Sequence, residues 1–153
     1  MMHYSDIEIV LQEVPGEISI CFTITGCNLR CEGCHSPHTW KEGSGHALLD
    51  EIYLKTLKKY KGFASCVLFM GGEWHTAELI KRLKQAKSLG FKTCLYTGLE
   101  EVGEGVRKEL TWLKTGRWNY KLGGLESKTT NQKFIEIQTN KTLNYLFTKN
   151  NNL

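Results

Sequence analysis

The chain has 153 residues, 41% of them hydrophobic and 24% charged, which suits one soluble domain with a real core; only 2 prolines leave little material for long linkers. A net charge of +4 with scattered lysines excludes the long basic run of a nucleic-acid binder, but allows a mildly positive face for an acidic protein partner. The start, MMHYSDIEIV, lacks a signal-peptide pattern, and the longest apolar run, Cys66 to Met70, is far too short for a bilayer; the expectation is a cytoplasmic protein without membrane contact, whose clustered cysteines are metal ligands or redox groups rather than disulfides.

After a turn signal at Val14–Glu17, ISICFTIT alternates strictly, with Ile18, Ile20, Phe22 and Ile24 on one face, and reads as a strand. It runs into a glycine-containing loop, residues 26–45. A helix is expected over about 46–60 with Leu49, Ile52, Tyr53 and Leu57 buried, then a short apolar strand in SCVLFMGGE. Thr76 to Gly90 reads as an amphipathic helix with Leu79, Ile80, Leu83 and Ala86 on its apolar stripe, stopped by Gly90. FKTCLYTG is a third strand, followed by a short helix around 99–109 and a fourth strand in TWLKTGRW. The polar loop NYKLGGLESKTTNQ leads to a closing strand, KFIEIQT, and LNYLF is strand-like. Strands alternating with helices imply a parallel sheet with crossover helices, so the expected fold is α/β, a partial (open) parallel β/α barrel of about five to six strands in a single domain spanning 1–153; a full eightfold barrel needs about 250 residues. In such folds the functional groups gather at the carboxyl ends of the strands, where the cysteine loop, GGE and YTG all fall.

The loop carries Cys27, Cys31 and Cys34 with the spacing C-x3-C-x2-C. Three readings stand side by side. The spacing would align the thiols on one face of a helix, although Gly26, Asn28, Gly33 and Pro37 make that helix poor. His35 or His38 would complete a Cys3His zinc site. Three thiolates would also hold a four-iron cluster and leave one iron without a protein ligand, open to a substrate or cofactor. Cys21, Cys66 and Cys94 lie inside strands and read as buried small hydrophobes.

CNLRCEGC resembles the CxxxCxxC signature of the radical S-adenosylmethionine (SAM) superfamily, and Gly71-Gly72-Glu73 resembles its second motif, at the end of the second barrel strand. GCNLRCEGCHSPHTW, LYTG at Leu95–Gly98, KTGRW at Lys114–Trp118 and GGLESKTTNQ at Gly123–Gln132 are similar to the activating proteins of anaerobic (class III) ribonucleoside-triphosphate reductases, over about residues 16–147. Two departures stand out: Gly33 occupies a position that is often aromatic in the superfamily, and Lys128 replaces a proline of that branch's ESPTTNQ loop.

The resemblance implies that Cys27, Cys31 and Cys34 hold three irons of a 4Fe–4S cluster and that SAM binds the fourth. It implies that a one-electron donor, such as a flavodoxin-type protein, reduces the cluster. The SAM-derived 5′-deoxyadenosyl radical then takes hydrogen from a backbone glycine of the reductase. Gly33, Cys34, His35, Gly71, Gly72 and Glu73 would contact SAM, with Glu73 orienting its ammonium. Tyr96 and Thr97 would line the ribose pocket or pack. The same features leave open an activase of another glycyl-radical enzyme, though residues 35–65 hold no cysteine-rich insertion. From a different class, a zinc-stabilised Cys3His binding module remains.

Overall fold

A computed structural model describes residues 1–26 and 44–148. The elements in chain order are β1 (His3–Val10), β2 (Ser19–Ile24), β3 (His46–Ala47), α1 (Asp50–Tyr60), β4 (Cys66–Met70), α2 (Thr76–Ser88), β5 (Lys92–Tyr96), α3 (Glu104–Arg107), β6 (Trp112–Thr115), β7 (Lys133–Glu136), β8 (Lys141–Thr142) and α4 (Tyr145–Thr148). Among the described residues the strands form one sheet in the order β3-β1-β2-β4-β5-β6-β7-β8. The four central strands, β2, β4, β5 and β6, are parallel, and crossovers through α1, α2 and α3 connect them in turn. Against the expected five to six parallel strands, the described residues hold four, within a mixed sheet of eight. Strand β1 pairs antiparallel with β2 on one side, and β7 pairs antiparallel with β6 on the other.

The differences have local causes. No helix forms at 46–49, because His46 and Ala47 pair with Tyr4 and His3 on β1. Gly45 makes that approach possible: its φ is 80°, and a Cβ there would stand 2.2 Å from the Tyr4 carbonyl oxygen. The helix starts at Asp50, so Leu48 rather than Leu49 enters the core; Leu49 is 45% exposed. LNYLF holds the helical turn α4 instead of a strand, and its Phe147 packs edge-on against Phe134, with ring centroids 5.2 Å apart.

The sheet has an apolar layer on each face. On the helix side, Ile20, Phe22, Val67, Phe69, Leu95 and Leu113 meet Tyr53 and Leu57 of α1 and Leu79, Leu83 and Ala86 of α2. The period of two in the strands and the helical spacing in α1 and α2 converge here, as hydrophobic burial requires. On the opposite side, Cys21, Cys66, Leu68, Cys94 and Phe134 pack with Val14 and Leu125.

Arg82 of α2 is buried in the helix-side layer, 3% exposed. It pairs with Asp50, donates to the Leu48 carbonyl at 2.8 Å and lies over the Tyr53 ring at 5.1 Å. Tyr53 in turn donates to the Arg82 carbonyl at 2.6 Å in a fully buried setting. Tyr53→Phe is expected to lower unfolding free energy by about 1 kcal/mol, read by urea denaturation, because it deletes this bond while keeping the ring.

Candidate functional site

The carboxyl ends of β2, β4, β5 and β6 enclose a cavity of about 200 Å³, lined by Thr23, Ile24, Met70, Gly71, Glu73, Trp74, Tyr96, Thr97, Gly98 and Lys114. Gly71 and Gly72 make the turn out of β4 with φ of 83° and 108°, a region that side chains with a Cβ rarely enter. The Gly71 amide donates to the Tyr96 carbonyl at 2.9 Å, tying the ends of β4 and β5 together. A Cβ on Gly71 would stand 2.6 Å from the Trp74 indole, so the turn and the ring are packed as one unit. Gly72 is buried and faces Ile24 and Met2; it shapes the turn without lining the cavity.

Glu73 sits at the end of this turn. Its Oε1 accepts the Thr97 hydroxyl at 2.7 Å, whereas its Oε2 is buried and has no hydrogen-bond partner among the described residues. Burial raises the Glu73 carboxyl above its usual range, opposed by the Thr97 hydrogen bond, its own backbone amide and the Lys114 ammonium. Lys114 Nζ donates to the Gly116 carbonyl at 3.0 Å and the Thr97 carbonyl at 3.3 Å, and lies 5.6 Å from the Tyr96 ring centre. The cavity lining therefore includes a buried carboxyl group with one oxygen unpartnered among the described residues, and a held cation. This charge pattern suits a zwitterionic, amino-acid-like ligand.

Cys27, Cys31 and Cys34, with Gly33 and His35, lie outside the described residues, but both roots of their segment are described. Thr25 donates its hydroxyl to the Ser44 carbonyl at 2.9 Å, which closes the neck of the segment. The Thr25 amide donates to the His3 carbonyl at 3.0 Å, and the Trp74 indole donates to the Thr25 carbonyl at 3.1 Å. Trp74 thus joins the root of the cysteine segment to the glycine turn. Sequence reading missed Trp74, and adjacency to GGE was the one local signal for it.

Cys21, Cys66 and Cys94 are buried in strands, as expected. Burial pushes the Cys21 and Cys66 thiols up to about 12, and raises that of Cys94 well above its ordinary value. These groups stay protonated, and a thiol is a poor metal ligand compared with a thiolate. Among the described residues, no three His, Cys, Asp or Glu side chains are placed to hold a metal ion.

Tyr96 both packs and lines the cavity: its hydroxyl donates to the Glu13 carbonyl. Together with Lys114 it also borders a second cavity of about 410 Å³, whose walls include Gln12, Glu13, Trp118, Leu125 and Phe147. Trp112 packs against Phe134 at 6.5 Å. No described helix is long and apolar enough to cross a membrane.

Comparison with known proteins gives two matches of different reach. The chain is 37% identical over 93 residues to the pyruvate formate-lyase-activating enzyme of Clostridium pasteurianum, an alignment covering 57% of this chain and 39% of that relative. The chain thus spans well under half of that relative's length. No solved structure matches. A family model described as the 4Fe–4S single cluster domain matches residues 14–115. That match runs from the turn before β2 to the end of β6, over the whole parallel core and the cysteine segment, and the chain belongs to the 4Fe–4S single cluster domain family.

Proposed function

We propose that this protein is a radical SAM activase that generates a glycyl radical on a partner enzyme, and that the partner is an anaerobic ribonucleoside-triphosphate reductase. The observation carrying the reading is Glu73, which lines a cavity at the carboxyl ends of the parallel strands and keeps one carboxyl oxygen buried and unpartnered among the described residues. An unpaired buried carboxylate is costly, and a ligand ammonium would relieve it. The residues present fit SAM in this respect, and the Lys114 cation, held by the Thr97 and Gly116 carbonyls, lines the same cavity. The 37% identity to a pyruvate formate-lyase-activating enzyme supports the activase class.

In this reading Cys27, Cys31 and Cys34 hold the cluster, with Gly33 and His35 beside the adenine. Gly71 keeps the β4 turn low over the ligand, Gly72 sets its path, and Glu73 accepts from the ammonium. Bound together, a 4Fe–4S cluster and SAM supply a one-electron route to a carbon radical strong enough to take hydrogen from a glycine backbone. The protein orients the ligand and keeps water out. The Trp74–Thr25 bond holds the root of the cysteine segment against the ligand turn. The parallel core of the sheet would be the open β/α barrel of this enzyme class, whose open side would admit a polypeptide substrate. A one-electron donor of flavodoxin type would serve it.

The test is anaerobic reconstitution: iron and sulfide content, then EPR of the reduced protein with and without SAM. A signal that SAM perturbs, followed by a glycyl-radical doublet on an added anaerobic ribonucleotide reductase, is the expected outcome. The matched relative favours a second partner, pyruvate formate-lyase. A doublet on that enzyme and none on the reductase would keep the activase class and replace the partner.

A further inference from the structure

Thr97 follows β5 and is 1% exposed. Its hydroxyl is already an acceptor, because the Leu99 amide donates to Oγ1 at 3.1 Å. A hydroxyl has one hydrogen to give, and here it goes to Glu73 Oε1 at 2.7 Å. The Thr97 backbone is held by the neighbouring strand: its amide donates to the Lys114 carbonyl at 2.9 Å, and Lys114 Nζ donates to the Thr97 carbonyl at 3.3 Å. With the backbone fixed by β6, rotating the side chain away would break both hydroxyl bonds, the one from the Leu99 amide and the one to Glu73. The hydroxyl therefore determines which carboxylate oxygen of Glu73 is used. A glutamate left to itself has three rotatable bonds to order when a ligand arrives, and one held by a single oxygen presents the other in a set direction.

We infer that Thr97 is a positioning residue: its hydroxyl holds Glu73 by one oxygen so that the other faces the cavity as a fixed acceptor for the ammonium group of the bound ligand. The inference rests on the proposed reading of the cavity as a SAM site. It adds to that reading a residue that acts through Glu73.

The experiment measures equilibrium SAM binding to anaerobically reconstituted holoprotein for the wild type, Thr97→Val, Thr97→Ser, Glu73→Gln and the Thr97→Val/Glu73→Gln double variant. Thr97→Val is expected to bind about tenfold more weakly at unchanged iron and sulfide content, the usual effect of losing a hydrogen bond to a charged group. Thr97→Ser restores the affinity, and the double variant is no weaker than Glu73→Gln alone, since the hydroxyl has lost the charge it serves. Equal affinity of Thr97→Val and wild type, or losses that simply add, would overturn the positioning role and leave the SAM site standing. Failure of the wild-type holoprotein to bind SAM would overturn the site itself. Thr97→Ala, which also lacks the hydroxyl and adds no bulk, is read the same way if the valine variant fails to fold.

Discussion

Cys31→Ala is expected to strip the reconstituted protein of iron, from about four atoms per chain to nearly none, and Cys27→Ala and Cys34→Ala to do the same. A cluster held by only three thiolates has no spare protein ligand, so one deletion unseats it. The contrast lies in the other three cysteines. Cys21→Ala, Cys66→Ala and Cys94→Ala should retain full iron and sulfide. Their thiols are buried in the sheet and kept protonated, those of Cys21 and Cys66 pushed up to about 12. Iron and sulfide assays, with EPR of the reduced protein, read all six variants in one series. A colourless protein carrying one tightly bound zinc would instead establish the Cys3His binding module.

Glu73→Gln is expected to weaken SAM binding about a hundredfold, close to the upper range for a hydrogen bond to a charged group. Glutamine cannot offer an anionic oxygen, and its amide can turn a donor toward the ligand's ammonium. The same substitution should stabilise the ligand-free protein near neutral pH. Burial raises the folded-state pKa of Glu73 above its unfolded value, so the native state holds this proton over a pH range in which the unfolded chain has lost it. Its contribution to stability is therefore greatest below the unfolded pKa and is lost as pH rises through the folded one. Wild-type melting temperature, compared with that of Glu73→Gln, should fall progressively behind as pH rises through that window. Saturating SAM should reverse the order, because only the wild type gains the ligand's charge. A pH-independent difference between the two proteins would count against a buried ionised Glu73.

The cost is placed where the function is. A buried carboxylate with one oxygen unpartnered among the described residues is the sort of local penalty a fold tolerates only when something else offsets it, and here the large apolar layers on both faces of the sheet do so. The glycine turn adds backbone that few residues can adopt, and Trp74 packs against it so closely that alanine at Gly71 would collide with the ring.

The sequence by itself determined the elements whose signals are local. The alternation of Ile18 to Ile24, the spacing of Leu79, Leu83 and Ala86, and the stops at Gly71-Gly72 and Gly90 each lie within a few residues, and β2, α2 and the end of β4 follow them. The order of those elements also brought Gly71, Glu73, Tyr96 and Thr97 to one end of the sheet. What only the tertiary structure decided depends on contacts between distant residues. Strand β1 escaped notice because its partner is β2, and β7 runs antiparallel because the loop before it returns beside β6. Arg82 stands on a helix whose other basic residues face solvent, and Asp50, Glu78, Gln85, the Tyr53 ring and the Leu48 carbonyl make its burial tolerable. The hydroxyl of Thr97 meets Glu73 across 24 positions, and the indole of Trp74 meets Thr25 across 49. Such pairs leave no periodic mark in a single sequence, since a hydrogen bond needs only two groups brought within about 3 Å by the packing of everything between them.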